Sequence, residues 1–176
     1  MVRRFLSGIL TLAVVTACGP NAPAAAPSAS GTTEASVATA ATWPLRGGAA
    51  DAAAKRRPLV VKVANDANSR PQTGLLQADL IIEIPVEGNI TRLAVVFHSQ
   101  DPARVGPVRS ARQSDLNYLA TLKSILVHVG ASETVAKLVR DAAKTGAFVD
   151  VDEFEHPGAF ERTTDKPAPY NTYTSG

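Results

Sequence analysis

A chain of 176 residues, 45% apolar and with a net charge of +2, is long enough for one domain with a modest core and too short for two large ones. Arg3 and Arg4 are the only charged side chains among the first 17 residues, so the chain beyond them is neutral and lacks the basic excess of a nucleic-acid binder. Cys18 is the only cysteine, which excludes an internal disulfide.

Residues 1–17 read as a signal peptide: Arg3-Arg4, an apolar run from Phe5 to Val15 too short to span a bilayer comfortably, then small residues. The run ends in Val15-Thr16-Ala17-Cys18-Gly19, which resembles a bacterial lipobox and predicts lipidation of Cys18 after cleavage. Two or more acyl chains hold a protein stably, at about 0.8 kcal/mol per buried CH₂. The expected location is therefore the extracytoplasmic face of a bacterial cell membrane, with the membrane as partner through the lipid anchor. Residues 18–57 are rich in Ala, Pro, Ser and Thr and read as a disordered tether, because such a segment buries too little apolar surface to offset its ordering entropy. Trp43 reads as incidental to that tether. Lys55-Arg56-Arg57 reads as a solvated charge run, with contact to anionic headgroups as the alternative.

Residues 58–176 form the expected single folded domain. PLVVKVA (58–64) is a β-branched run bounded by Pro58 and by Asn65-Asp66, and reads as a strand. LIIEIPVE (80–87) and ITRLAVVF (90–97) flank Gly88-Asn89, a two-residue connection suited to a primed hairpin turn. That register sets Glu87 opposite Ile90, Pro85 opposite Arg92 and Glu83 opposite Ala94. Leu80, Ile82, Ile84, Val86, Thr91, Leu93, Val95 and Phe97 then share a core face, and Glu83, Glu87, Arg92 and His98 share the other. Pro85 removes a ladder donor and points to an edge strand. Ser110 and Gln113 have capping-box spacing and predict a helix from Ser110. SILVHV (124–129) reads as a strand, SETVAKLVRDAAKT (132–145) as an amphipathic helix ended by Gly146, and AFVDV (147–151) as another strand. The fold class is α/β, with α+β as its neighbour: a mixed sheet containing the antiparallel hairpin 80–97, with helices packed on it.

RPQTGL (70–75), QAD (77–79), VEGNITR (86–92), VFHS (96–99), VGPVRSAR (105–112) and PYNTY (169–173) together resemble the YerB-like family of bacterial lipoproteins, whose domain has no assigned function. The resemblance implies an envelope lipoprotein and no reaction. Asn89 stands where the family pattern has Gly, and Tyr170, in Pro169-Tyr170-Asn171, stands where it has His, which weakens a catalytic histidine there. The resemblance also implies a second domain, and the expectation is that 58–176 is the first domain without it.

Four arginines and one aspartate lie between positions 92 and 112, an excess that pairing within this segment cannot absorb. One reading converges Arg92, Arg104, Arg109 and Arg112, with Ser110 and the helix start, on a phosphate, pyrophosphate or carboxylate. The other pairs Arg112 with Asp115, and Arg92 and Arg109 with Glu83 and Glu87. Supporting residues are Glu83, Glu87, His98, Asp115 and Asn171. Glu83 and Glu87 are some 13 Å apart along a strand, wide for an acid/base pair. Three spaced histidines give neither a triad nor a metal motif, and DVDEFE (150–155) lacks the EF-hand glycine, so neither metal nor cofactor is expected. The sequence is read as a binding module for an anionic envelope polymer or phosphorylated ligand. Its alternatives are an enzyme on a phosphorylated or polyprenyl-linked substrate and a structural component of a membrane protein complex.

Overall fold

In the computed structural model, residues 41–176 are described; the signal segment, Cys18 and the first part of the expected tether lie outside the described residues. The alternation LVVKVA forms β1 (Leu59–Ala64), the centre of a five-stranded sheet. β3 (Ile90–Phe97) pairs with it antiparallel on one side, with β2 (Leu80–Val86) outside it as the edge strand that Pro85 requires. On its other side β4 (Ile125–His128) and then β5 (Val149–Asp152) run parallel to it. The helices α1 (Leu116–Leu122) and α2 (Glu133–Lys144) make the connections, and α2 ends where Gly146 takes a φ of +77°. β6 (Glu161–Arg162) and β7 (Thr172–Tyr173) form a separate two-stranded sheet. The mixed α/β architecture read from the sequence is the one observed.

Both faces of the central sheet are covered, which is why β1 and β3 read as near-continuous apolar runs. On the helix side Val60, Ala94, Val96 and Leu126 pack with Leu119 of α1, Val139 of α2, Ala111 and Phe148. On the other side Val61, Val63, Leu93, Val95, Phe97 and Val127 pack under the segment carrying Val105 and Val108. Both clusters and every strand among the described residues lie within 41–176, and this part has its own two-sided core.

Three expectations are corrected. The hairpin turn contains three residues, Glu87 to Asn89, with Gly88 and Asn89 both left-handed (φ +79° and +56°), so Val86 faces Ile90 and Ile84 faces Arg92. A shift of one residue turns every side chain of β2 over relative to β3. Ile82 and Ile84 thereby join the helix-side core, while Glu83 leaves the face of Arg92 and accepts hydrogen bonds from Thr91 and Asn65. The helix does not start at Ser110: residues 105–111 are extended because their backbone groups are taken by neighbouring segments. A 3-10 turn (Gln113–Asp115) capped at Arg112 then leads into α1. The folded part also begins before Pro58. Thr42 bridges Ala49, and Trp43 is buried against the His98 ring, a contact that composition averaged over an Ala-rich segment conceals.

The extended segment crosses the fold through a dense set of backbone bonds. Gly106 exchanges both its N–H and C=O with Thr73, Val108 N–H donates to Thr172, and Arg109 N–H donates to Lys62. A Cβ on Gly106 would lie 2.6 Å from the Tyr173 ring and 3.0 Å from the Thr172 carbonyl, so only glycine fits there. At the end of β4, His128 is buried with Nδ1 2.9 Å from the Gly130 carbonyl and Nε2 2.8 Å from Asp150 Oδ1. Both ring nitrogens face an acceptor, an arrangement that favours the doubly protonated ring. Burial pulls its pKa down, but the bonds to Asp150 and Gly130 outweigh that and leave it raised. Asp152 accepts the Gly130 N–H at 2.9 Å and fixes the same turn, from which α2 starts.

Two outcomes follow from this packing. Gly106→Ala adds about 1–3 kcal/mol of overpacking to the strain of its positive φ, whereas Gly88→Ala, with no atom within 4 Å of its Cβ position, costs only the strain of a left-handed residue. Equal denaturant midpoints for the two variants contradict the assignment. Because the folded pKa of His128 lies above its unfolded value of about 6.5, its contribution is complete below that pH and is lost as pH rises through the folded value. Unfolding free energy should therefore decline across that window in the parent and not in His128→Gln; the same decline in both would assign it to another group.

Candidate functional site: an arginine cluster at the carboxyl ends of the parallel strands

Lys62 interrupts the apolar alternation of β1 on the helix side, and its ammonium is fully buried. It meets Asp115, equally buried, at 2.7 Å. Asp115 also accepts the Tyr118 hydroxyl at 2.7 Å and the Arg112 backbone N–H at 2.8 Å, so its carboxylate is fully engaged. Burial lowers the pKa of Lys62; Asp115 opposes that shift, and Arg92 and Arg112 add to it. The pair ties the centre of the sheet to the first turn of the α1 region and holds the 109–112 backbone in place.

Three arginines gather around that turn. Arg92, at the start of β3 and 6% exposed, donates from Nη1 to the Ser110 carbonyl at 2.7 Å. Its pKa is pushed down to about 10, first by burial and then by the positive charges of Arg112 and Arg109. Arg112 donates through Nε and Nη2 to Glu87 Oε2, each at 2.8 Å, and through Nη1 to the Ala111 carbonyl. The three-residue hairpin turn places Glu87 for this contact, and its own amide and Arg112 hold its carboxyl below the usual range. Arg109 lies over the Tyr170 ring at 5.6 Å and reaches the Pro169 carbonyl only at 3.4 Å. No carboxylate pairs with Arg92 or Arg109 among the described residues. Coulombic repulsion is thus left incompletely offset on one patch.

The patch stands where the parallel strands end. Arg109 N–H donates to Lys62 in β1 and Arg109 C=O accepts from Val129 just after β4, while Ala111 N–H donates to Gly130, two residues ahead of the α2 cap. Open α/β sheets bind ligands outside the carboxyl ends of such strands. The cluster can hold a tetrahedral or planar oxyanion through charge-assisted hydrogen bonds.

The other expected site residues are distributed differently. Arg104 is separate: its guanidinium covers the Tyr173 ring at 4.0 Å and reaches Asp165 at 3.4 Å and Glu161 at 4.0 Å. Ser110 contributes its carbonyl, and the side-chain bond that caps the turn is the one Asp115 accepts from the Arg112 N–H. Asp115 binds the backbone of Arg112 in place of its guanidinium. Asn171 donates to the Thr163 carbonyl at 3.4 Å, next in sequence to Tyr170, and its Oδ1 is buried without a partner among the described residues. His98 is at the opposite end of β3, about 20 Å from Arg92 by strand rise. Its Nε2 meets the Arg56 carbonyl, while Asp101 pairs with Arg56 and Ser99 donates to Asp79, so the three do not form a nucleophile system. Lys62 and Tyr118 escaped sequence reasoning. A lysine inside an otherwise apolar strand run signals a buried anion, but nothing in the spacing names Asp115. Among the described residues no cluster of three or more His, Cys, Asp or Glu could hold a metal, and no helix is long and apolar enough to cross a membrane.

Residues 45–176 match the family described as the N-terminal domain of a protein of unknown function (DUF3048). The chain is 40% identical over 122 residues to "Putative lipoprotein YerB" of Bacillus subtilis strain 168, covering 69% of this chain and 36% of that protein. It is also similar to the crystal structure of YerB from Bacillus subtilis, with a TM-score of 0.68 at 37% identity, over 77% of this chain and 46% of the other. The chain thus spans less than half the length of the relatives it matches. With the match running from Leu45 through the arginine cluster to Gly176, the chain belongs to the DUF3048 family, the YerB-like proteins, and carries its N-terminal domain.

Proposed function

We propose that this domain is an extracytoplasmic binding module, attached to the bacterial membrane through a lipidated Cys18, whose Arg92, Arg109 and Arg112 receive an anionic group of an envelope component. The attachment is supported by the lipobox-like sequence at Cys18 and by the name of the Bacillus relative. The binding site is supported above all by one observation: three guanidinium groups share one patch in which neither Arg92 nor Arg109 pairs with a carboxylate among the described residues, while the buried carboxylate of Asp115 is committed to Lys62. An oxyanion with two or more free oxygens would relieve the repulsion among them. Phosphate and carboxylate groups of envelope polymers belong to this chemical class.

Arg109 is the informative residue, because its side chain contributes least to the fold. Titration of residues 41–176 with inorganic phosphate and pyrophosphate at two salt concentrations should give saturable binding that weakens with salt. Arg109→Ala should weaken it by about 1.5–3 kcal/mol, tenfold or more, without moving the thermal unfolding midpoint. Absence of binding in the parent, or unchanged affinity in the variant, would remove the support for this reading.

A further inference from the structure

A second basic site lies at the opposite end of β1. Trp43 accepts from Gly47 N–H at 2.8 Å and donates to Gly48 C=O at 3.2 Å, closing a small loop that sets its indole edge-on to the His98 ring, 5.1 Å between centroids. Arg56 donates from Nε and Nη2 to the His98 carbonyl and pairs through Nη1 with Asp101, and Arg57 donates from Nη1 to the Lys123 carbonyl at 3.0 Å. These contacts fold the basic segment down onto the end of α1.

Between them is an open pocket of about 400 Å³. Leu45, Pro58 and Leu122 give it an apolar floor, and Lys55, Arg57 and Lys123 give it a cationic rim; no carboxylate lines it. The ammonium groups of Lys55 and Lys123 make no hydrogen bond or ion pair among the described residues, while Arg56 and Arg57 are held by the bonds above. Lys123, at the end of α1, has a φ of +49°, a left-handed conformation uncommon for a residue with a side chain. The His98 ring, 3% exposed, also lines the pocket. Its Nε2 meets the Arg56 carbonyl at 3.1 Å, and its Nδ1 is buried without a hydrogen-bond partner among the described residues.

An apolar floor under an unbalanced cationic rim is complementary to an amphiphilic anion. We propose that this pocket takes the headgroup and adjoining chain of an anionic phospholipid, so that the domain docks on the membrane surface. The inference rests on the membrane attachment proposed above and not on the arginine cluster. The pocket is built by the segment leading back to Cys18: Ala41 follows that residue by 23 positions, a length of chain that can separate the two by no more than ~80 Å. Anionic lipid held by Lys55 and Lys123 would also supply the charge that no side chain of the pocket provides.

Trp43 is the only tryptophan, and its ring packs edge-on against His98, which lines the pocket. The test uses residues 41–176, which lack Cys18 and any lipid, with vesicles of phosphatidylcholine and vesicles of equal parts phosphatidylcholine and phosphatidylglycerol, read by flotation and Trp43 emission. The expected result is co-flotation with the anionic vesicles, accompanied by a Trp43 shift. Lys55→Glu with Lys123→Glu, both at exposed positions, should lower the affinity about tenfold or more with an unchanged circular dichroism spectrum. Four results overturn the proposal: no binding, equal binding to neutral vesicles, binding that Lys55→Glu/Lys123→Glu leaves intact, or an equal Trp43 response to inorganic phosphate. Binding lost in Arg109→Ala alone would also overturn it and assign the vesicle contact to the arginine cluster.

Discussion

The buried contact between Lys62 and Asp115 is the constraint on which the functional end of this domain depends. Removing both charges from water costs several kcal/mol each, and their attraction offsets that only where the remaining donors and acceptors are satisfied. Here they are: Tyr118 and the Arg112 backbone complete the carboxylate, and Lys62 lies on the inner face of the central strand. A hydrophobic pair in the same space could be as stable, so the ion pair is better understood through what it positions. It fixes the Arg112 N-cap against β1, and with it the direction in which the 109–112 segment leaves the sheet.

That geometry also accounts for the two arginines, Arg109 and Arg112, that flank the helix start expected at Ser110. Cations beside a helix start are unfavourable because the N-terminal end of the macrodipole is positive. The structure moves the start two residues onward to the Arg112 cap and places Asp115 in the first turn. Arg92 and Arg112 bond carbonyls outside the helix, and Glu87 offsets one charge of three. The remaining repulsion is located on the patch at the carboxyl ends of β1 and β4. If both proposals hold, β1 runs from a lipid-facing basic pocket at Pro58 to an anion-binding patch at Lys62, a strand length apart. The domain would then sit on the membrane at one end and present the arginine cluster at the other.

Much of the fold was legible because burial leaves a periodic trace. The apolar runs at 58–64, 90–97 and 124–129, the edge-strand proline at 85 and the 3.6-residue pattern of 132–145 all correspond to observed elements, within a residue at each end. What was not legible depended on backbone partners remote in sequence. Gly88-Asn89 suits a two-residue turn locally, yet Glu87 leaves the ladder to meet Arg112, and the pairing shifts by one. Ser110 has the right spacing for a cap, yet Lys62, Val129 and Gly130 claim the backbone around it. Arg92, Arg109 and Arg112 could be named from charge excess alone. The separation of Arg104 and His98 from them, and the partners of Lys62 and Trp43, required tertiary structure.

The central claim is that Lys62 and Asp115 act as one unit in holding the arginine segment. A double-mutant cycle on Lys62→Met and Asp115→Asn, read by urea unfolding, tests it most directly. Each single change strands a buried group and should cost about 3–5 kcal/mol. The double variant should lose markedly less than the summed costs, because neither charge remains to be stranded. Strictly additive losses would mean that the two residues contribute independently, and the arginine cluster would need another explanation for its position.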